Sequence, residues 1–286
     1  MCFLRFKTRY KLLDYKFFSV DCCRRKIKIL KIEYNRSMYE VTVSAMRKEQ
    51  HLLEHIKREA VPAIAEMDGI FTEMSDESRS YFSAACSDTY RFQLRRLLSG
   101  SIAETIALGY KNIFVRNCLH VNKGNFLQNV LINTMCVFDK TYDQQIVSKI
   151  IDVDKPVFID GYCNFRLQPL KKKWKEIANL VAENNYILQD KQLILEFLQY
   201  LLESVYSRAE QLTVTLDKDT FMLYDGQGKV LTSCSTLAQN PTVEEEAAVN
   251  VLLLKPAKLN VYFDKQPSED FCTVMQMFRC RFVQTQ

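Results

Sequence analysis

The chain opens its readable pattern at Tyr39-Glu40-Val41-Thr42-Val43, where apolar and polar residues alternate as in a half-buried strand. A helical period follows from about Met46 to Ala60, with Leu52, Leu53 and Ile56 on one face and Pro62 placed beyond its end. Gly69 to Met74 reads as a second short strand. From Ser78 to Tyr206 the pattern predicts helix almost throughout. Ser87-Asp88 is expected to cap the first of these helices, which carries Phe92, Leu97, Leu98, Ile102 and Ile106. Others are expected at about 110–120, 124–138 and 142–151. Pro156 and Gly161 punctuate a break from Val153 to Asn164.

The strongest helix signal runs from Pro169 to Glu183. Leu170, Trp174, Ile177 and Val181 recur at helical spacing, and Pro169 suits a first turn because it has no N–H to leave unpaired. A short Asn184-Asn185 link and a second apolar stripe from Lys191 to Tyr206 predict an αα-hairpin. After Arg208 the period becomes strand-like. Leu212–Leu216 is a strand, and Phe221–Leu231 is a hairpin turning on Asp225-Gly226. An acid-led helix follows over Val243–Leu254, then a strand at Leu259–Phe263, a helix from Ser268 to Arg279 and a last strand at Cys280–Val283.

These elements predict an α+β fold. A basic extension (1–37) precedes a small strand-helix-strand unit (38–75), a helical region (76–206) and a strand-rich α/β unit (207–286). Composition agrees with a globular protein: 48% of residues are hydrophobic, 26% are charged, and Gly and Pro number only 7 and 6. That excludes collagenous and disordered classes. The longest apolar runs are about five residues, far from the roughly 18 of a membrane-spanning helix. The expectation is a soluble, cytoplasmic protein.

Charge is concentrated at one end. Residues 1–37 hold eleven Lys or Arg and three Asp or Glu, leaving 28 basic against 31 acidic residues in 38–286. The first segment has no apolar core of signal-peptide type. Its Lys26-Ile27-Lys28-Ile29 alternation allows an edge strand. It reads either as a basic tail for an anionic membrane or nucleic acid, or as an upstream start with Met38 the true one; the second is preferred. The cysteines are scattered with no Cys-x-x-Cys pair, so they are expected as core fillers in a reducing compartment.

Candidate chemistry is sparse. His51-Leu52-Leu53-Glu54-His55 matches His-x-x-Glu-His, and two histidines four apart share a helix face as zinc requires. Only His120 remains as a further histidine, so the pair is read as a solvated outer face and no metal is expected. Lys171, Lys172, Lys173 and Lys175, with Arg166 before them, form a possible phosphate-binding stripe. Trp174 belongs to the apolar stripe, so the lysines read as the ordinary solvated side of that helix. Arg91, Arg95 and Arg96 have the same two readings. No phosphate loop, dinucleotide fingerprint or nucleophile elbow occurs. Glu244-Glu245-Glu246 reads as helix-start charge. No catalytic residue and no cofactor are assigned.

One stretch changes the picture. Val157-Phe158-Ile159-Asp160-Gly161-Tyr162-Cys163-Asn164-Phe165-Arg166-Leu167 resembles the Phe-Ile-Asp-Gly-Phe-x-Asn-Phe-Arg-Leu segment of the YtxC-like family of sporulation proteins. The order that follows is also similar. It comprises a charged helix, a Glu196-Phe197-x-x-x-Leu201 helix, a strand, a Tyr224-Asp225-x-x-Gly228-Lys229 hairpin and an acid-led helix running into a strand. The likeness spans roughly 38–286 and is most specific over 157–263. Cys163, Pro169 and residues 1–37 depart from the pattern. The resemblance implies a role in endospore-forming bacteria and supplies no catalytic residue or cofactor. Asp160–Arg166 is then either a recognition loop or a structural corner, turning at Gly161 with Asp160 paired to Arg166; the corner is preferred. Candidate contact residues are Asp160, Asn164, Arg166, Lys171 and Lys172. An unidentified protein partner is expected, with nucleic acid weaker and membrane contact through 1–37 weaker still. The alternative is a small-ligand binder or enzyme with its site in a cleft near Asp160, Asn164 and Arg166.

Overall fold

The structure, a computed structural model, describes residues 38–183, 186–203 and 209–284. The basic extension, the Asn184-Asn185 link and the last turn expected up to Tyr206 lie outside the described residues.

The elements run β1 (Met38–Met46), α1 (Gln50–Glu66), β2 (Ile70–Ser75), β3 (Arg79–Ser87), α2 (Arg91–Glu104), α3 (Lys111–Cys118), α4 (Phe126–Phe138) and α5 (Lys140–Ile150). They continue with β4 (Val157–Phe158), α6 (Ile159–Phe165), α7 (Gln168–Ala182), α8 (Lys191–Glu203), β5 (Ala209–Leu216), β6 (Phe221–Asp225) and β7 (Val230–Leu231). The chain closes with α9 (Val243–Leu254), β8 (Pro256–Phe263), α10 (Glu269–Met275) and β9 (Cys280–Gln284). The α+β class is as expected.

Two sheets organise the described residues. The first has the order β2-β3-β1-β4, with β3 antiparallel to both neighbours and β4 parallel to β1 through Val43↔Val157 and Ser44↔Phe158. The second has the order β7-β6-β5-β8-β9, with β5, β8 and β9 parallel and β6 and β7 added as a hairpin. Gly228 supplies the hairpin's positive φ of 80°.

β3 corrects the expectation of helix from Ser78. Residues Phe82 through Cys86 are buried on both faces except where half-exposure returns at the strand ends, and they are mostly Ala and Ser. A strand buried on both sides loses the alternation that identifies it. Ser87 makes no side-chain cap, and α2 begins only after a 3-10 turn, at Arg91. Pro62 lies inside α1 rather than beyond it. Its missing N–H costs the helix about 3 kcal/mol. Ile56, Ala60 and Ile64, all buried on the inner face, hold the helix through it.

α2 runs into α3 through a buried π-helical turn, Thr105–Tyr110. A Cβ on Gly109 there would fall 2.3 Å from the Leu52 side chain, so glycine lets α1 press against this turn. Two cores form. The first joins the N-terminal sheet to α1, α2 and α6; the second joins the C-terminal sheet to α4, α8, α9 and α10. α7 belongs to both: Leu170 and Trp174 enter the first, Ala178 and Val181 the second. The apolar stripe read from the sequence is thus what ties them.

Candidate functional site

The segment singled out in the sequence is β4 with α6, and its residues divide cleanly by face. Ile159, Cys163 and Leu167 recur every four residues and are buried. Gly161 sits within the helix and does not turn the chain.

Asp160 also points inward. Arg79 Nη2 donates to both carboxylate oxygens, at 2.7 and 2.6 Å, while Arg79 Nη1 donates to Ser44 Oγ at 2.9 Å. The guanidinium lies 5.0 Å from the Phe158 ring. β3 and β1 supply Arg79 and Ser44, so the sheet clamps the start of α6. The expected Asp160–Arg166 pair does not form. Six residues along a helix are about 240° apart, which sends the two side chains to different faces. Arg166 instead covers the Tyr162 ring at 5.4 Å.

Asn164 Oδ1 accepts from Tyr110 Oη at 3.4 Å and from Lys171 Nζ at 3.2 Å, and its backbone carbonyl accepts from Gln168. Lys171 also lies 5.3 Å from the Phe114 ring. Of the five candidate residues, then, Asp160 is anchored to the sheet and Asn164 meets Lys171. Arg166 and Lys172 are exposed.

Beneath α6 lies Glu49, only 5% exposed, with Oε2 lacking a hydrogen-bond partner among the described residues. Burial raises its pKa above the usual range; Lys48 and Arg79 oppose this and Asp160 adds to it. Burial likewise pushes up the Tyr110 hydroxyl and the Cys163 thiol, so both stay protonated at neutral pH. A carboxylate whose folded pKa is raised costs stability as pH climbs through its unfolded value, and costs nothing below that value. Glu49→Gln should therefore stabilise the protein by about 1 kcal/mol at pH 7. The gain should vanish by pH 3 in urea titrations; an equal gain at both pH values would show that the charge is not its cause.

The histidine pair has other partners. His55 is buried, not solvated as expected: Nδ1 lies 3.0 Å from Arg58, and Nε2 faces Glu104 at 3.5 Å. His55, against the effect of burial, together with Lys140 at 2.5 Å, holds the Glu104 carboxyl down to about 2. Burial lowers the pKa of His51, and Glu54 pairs with Lys57. Among the described residues no three metal-ligating side chains converge.

Elsewhere, Cys86, Cys136 and Cys163 are core fillers, while the other described cysteines are half-buried. Glu245 completes a capping box with Thr242, and Glu244 accepts from Ser268 at the start of α10. A shallow depression lies at the β2 edge of the N-terminal sheet, against α1, between Leu53, Lys57, Glu73 and Tyr81.

Outward from α6 the picture reverses. Tyr162 packs against the N-terminal core, with its hydroxyl accepting from the Asp152 N–H at 3.1 Å, but two neighbouring rings stand in solvent. Phe158 is 42% exposed and Phe165 84%. Residues the sequence reading missed include Arg79 and Tyr110, whose partners lie 81 and 54 residues away. The buried Lys111–Asp143–Trp174 cluster was missed as well.

No curated protein and no solved structure matches the chain. The model of the YtxC-like family matches residues 111–282, from α3 into β9 and including all of α6. That is more than half of the chain, and it carries the motif, the hairpin and the acid-led helix together: the chain belongs to the YtxC-like family.

Proposed function

We propose that this protein serves the sporulation programme of an endospore-forming cell, in the cytoplasm, by binding another macromolecule through the outward side of α6. The carrying observation is Phe165, 84% exposed between Asn164 and Arg166. Large aromatic side chains and arginine are the groups that anchor interfaces, the rings because they bury much area at little entropic cost and arginine because its planar guanidinium stacks and donates several hydrogen bonds. The inward residues of the motif supply rigidity: Asp160 fixes the helix start to Arg79, and Asn164 ties its end to Tyr110 and Lys171.

The small-ligand reading is weaker on the same geometry. The polar atoms of Asp160 and Asn164 that a ligand would use are engaged inside the protein. No helix among the described residues is long and apolar enough to cross a membrane.

A photocrosslinking amino acid at position 165, in sporulating cells, tests the contact. The control is the same probe at Tyr200, 64% exposed on α8. Discrete adducts at 165 and none at 200 are expected. No adduct at 165, or the same adducts at both positions, would count against the reading.

A further inference from the structure

Resting on that contact reading, we infer that the partner of the α6–α7 surface is an unpaired nucleic-acid strand. Residues 38–286 carry a slight acidic excess, yet residues 157–175 hold five cations (Arg166, Lys171, Lys172, Lys173, Lys175) against the single acid Asp160. That acid is neutralised by Arg79 from β3, outside the stretch. Lys173 is taken by Asp139 at 3.2 Å. Among the described residues no acidic side chain pairs with Arg166, Lys171, Lys172 or Lys175. Such a local excess on a protein otherwise slightly negative fits an anion, and a phosphate backbone is the commonest polyanion a protein meets.

Charge alone would suit an acidic peptide equally; the rings decide between them. Arg79 lies over Phe158 and Arg166 over Tyr162, which leaves Phe165, beside Arg166, as an open aromatic face. An exposed ring beside a cation is the kind of platform on which unpaired bases stack, with lysines tracking the phosphates. Lys171 and Lys175, one helical turn apart, share a side of α7, and Lys171 reaches back to Asn164 on α6. A duplex, whose bases are already stacked, gains nothing from the ring.

The test uses the full chain with a labelled 20-nucleotide single strand, in fluorescence anisotropy over a range of salt. A duplex of the same length and a polyglutamate peptide serve as comparisons. Phe165→Ala is expected to weaken strand binding about tenfold with the salt slope unchanged, and Phe165→Trp to restore it. Lys172→Ala with Lys175→Ala should flatten the plot of log K against log salt by about 1.4, or 0.7 per lost contact. All three positions are exposed, so folding is not at stake. Should the strand bind only through the basic residues 1–37, these variants would leave affinity unchanged and the inference fails. Polyglutamate competing as well as the strand, with Phe165→Ala silent towards the strand, would overturn nucleic acid as partner. The wider contact reading would then still stand on crosslinking at position 165, which falls separately if that adduct is missing.

Discussion

Asp143→Ala is expected to destabilise the protein by about 3–5 kcal/mol, the cost of stranding a buried charge. Lys111 and Asp143 are both fully buried, where α3, α5 and α7 meet. Lys111 Nζ donates to Asp143 Oδ2 at 2.7 Å and to the Cys136 carbonyl at 3.2 Å. Trp174 Nε1 donates to the same Oδ2 at 2.9 Å. Removing the carboxylate leaves an ammonium group and an indole N–H in an apolar setting. Asp143 Oδ1 has no hydrogen-bond partner among the described residues, so the cluster is already imperfectly satisfied. Replacing both ions, Lys111→Met with Asp143→Leu, should consequently recover about half of the loss. The remainder is the orphaned Trp174 N–H, about 1–3 kcal/mol. Urea midpoints of the two variants measure this directly. A single variant within 1 kcal/mol of the parent, or a double variant no better than the single, would contradict the assigned role.

That cluster marks where sequence reading stopped. The stripe Leu170, Trp174 and Val181 was visible because a helix against a core repeats every three or four residues, and all three are buried. The start of α9 was legible in its acids, and the hairpin in Asp225-Gly226, because turn and cap chemistry is local. Lys111 carries no such signal. A lysine in an amphipathic helix looks solvated until its partner, 32 residues on, is known. β3 was missed for a related reason: its Ala and Ser residues fill a layer covered on both sides, and they have no contrast to alternate. Within the motif, the resemblance located the segment, but the direction of each side chain depended on the sheet. Asp160 met an arginine 81 residues upstream rather than the one six residues downstream. Helix geometry sends Asp160 and Arg166 to different faces, but a stretch punctuated by Pro156 and Gly161 carries no signal that it is helical.

Arg79→Met carries the second large effect, and it bears on the contact surface itself. Arg79 and Asp160 are mostly buried, with side chains 21% and 11% exposed. Losing the arginine leaves a carboxylate facing Glu49, which burial already disfavours as an anion. A loss of about 2–4 kcal/mol is expected, slightly below that of a fully enclosed pair. Arg79→Lys should not rescue it, since one ammonium cannot reach both carboxylate oxygens and Ser44 while covering Phe158. Adding Asp160→Leu to Arg79→Met removes the stranded charge and should restore most of the stability. The two variants then separate folding from function. The double variant is folded but lacks the clamp between β3 and the first turn of α6, so the probe at position 165 should crosslink less than the same probe does in the parent protein. Stability restored together with full crosslinking would mean that α6 holds its place by the packing of Ile159, Cys163 and Leu167 alone, and that the ion pair serves only to neutralise a buried charge.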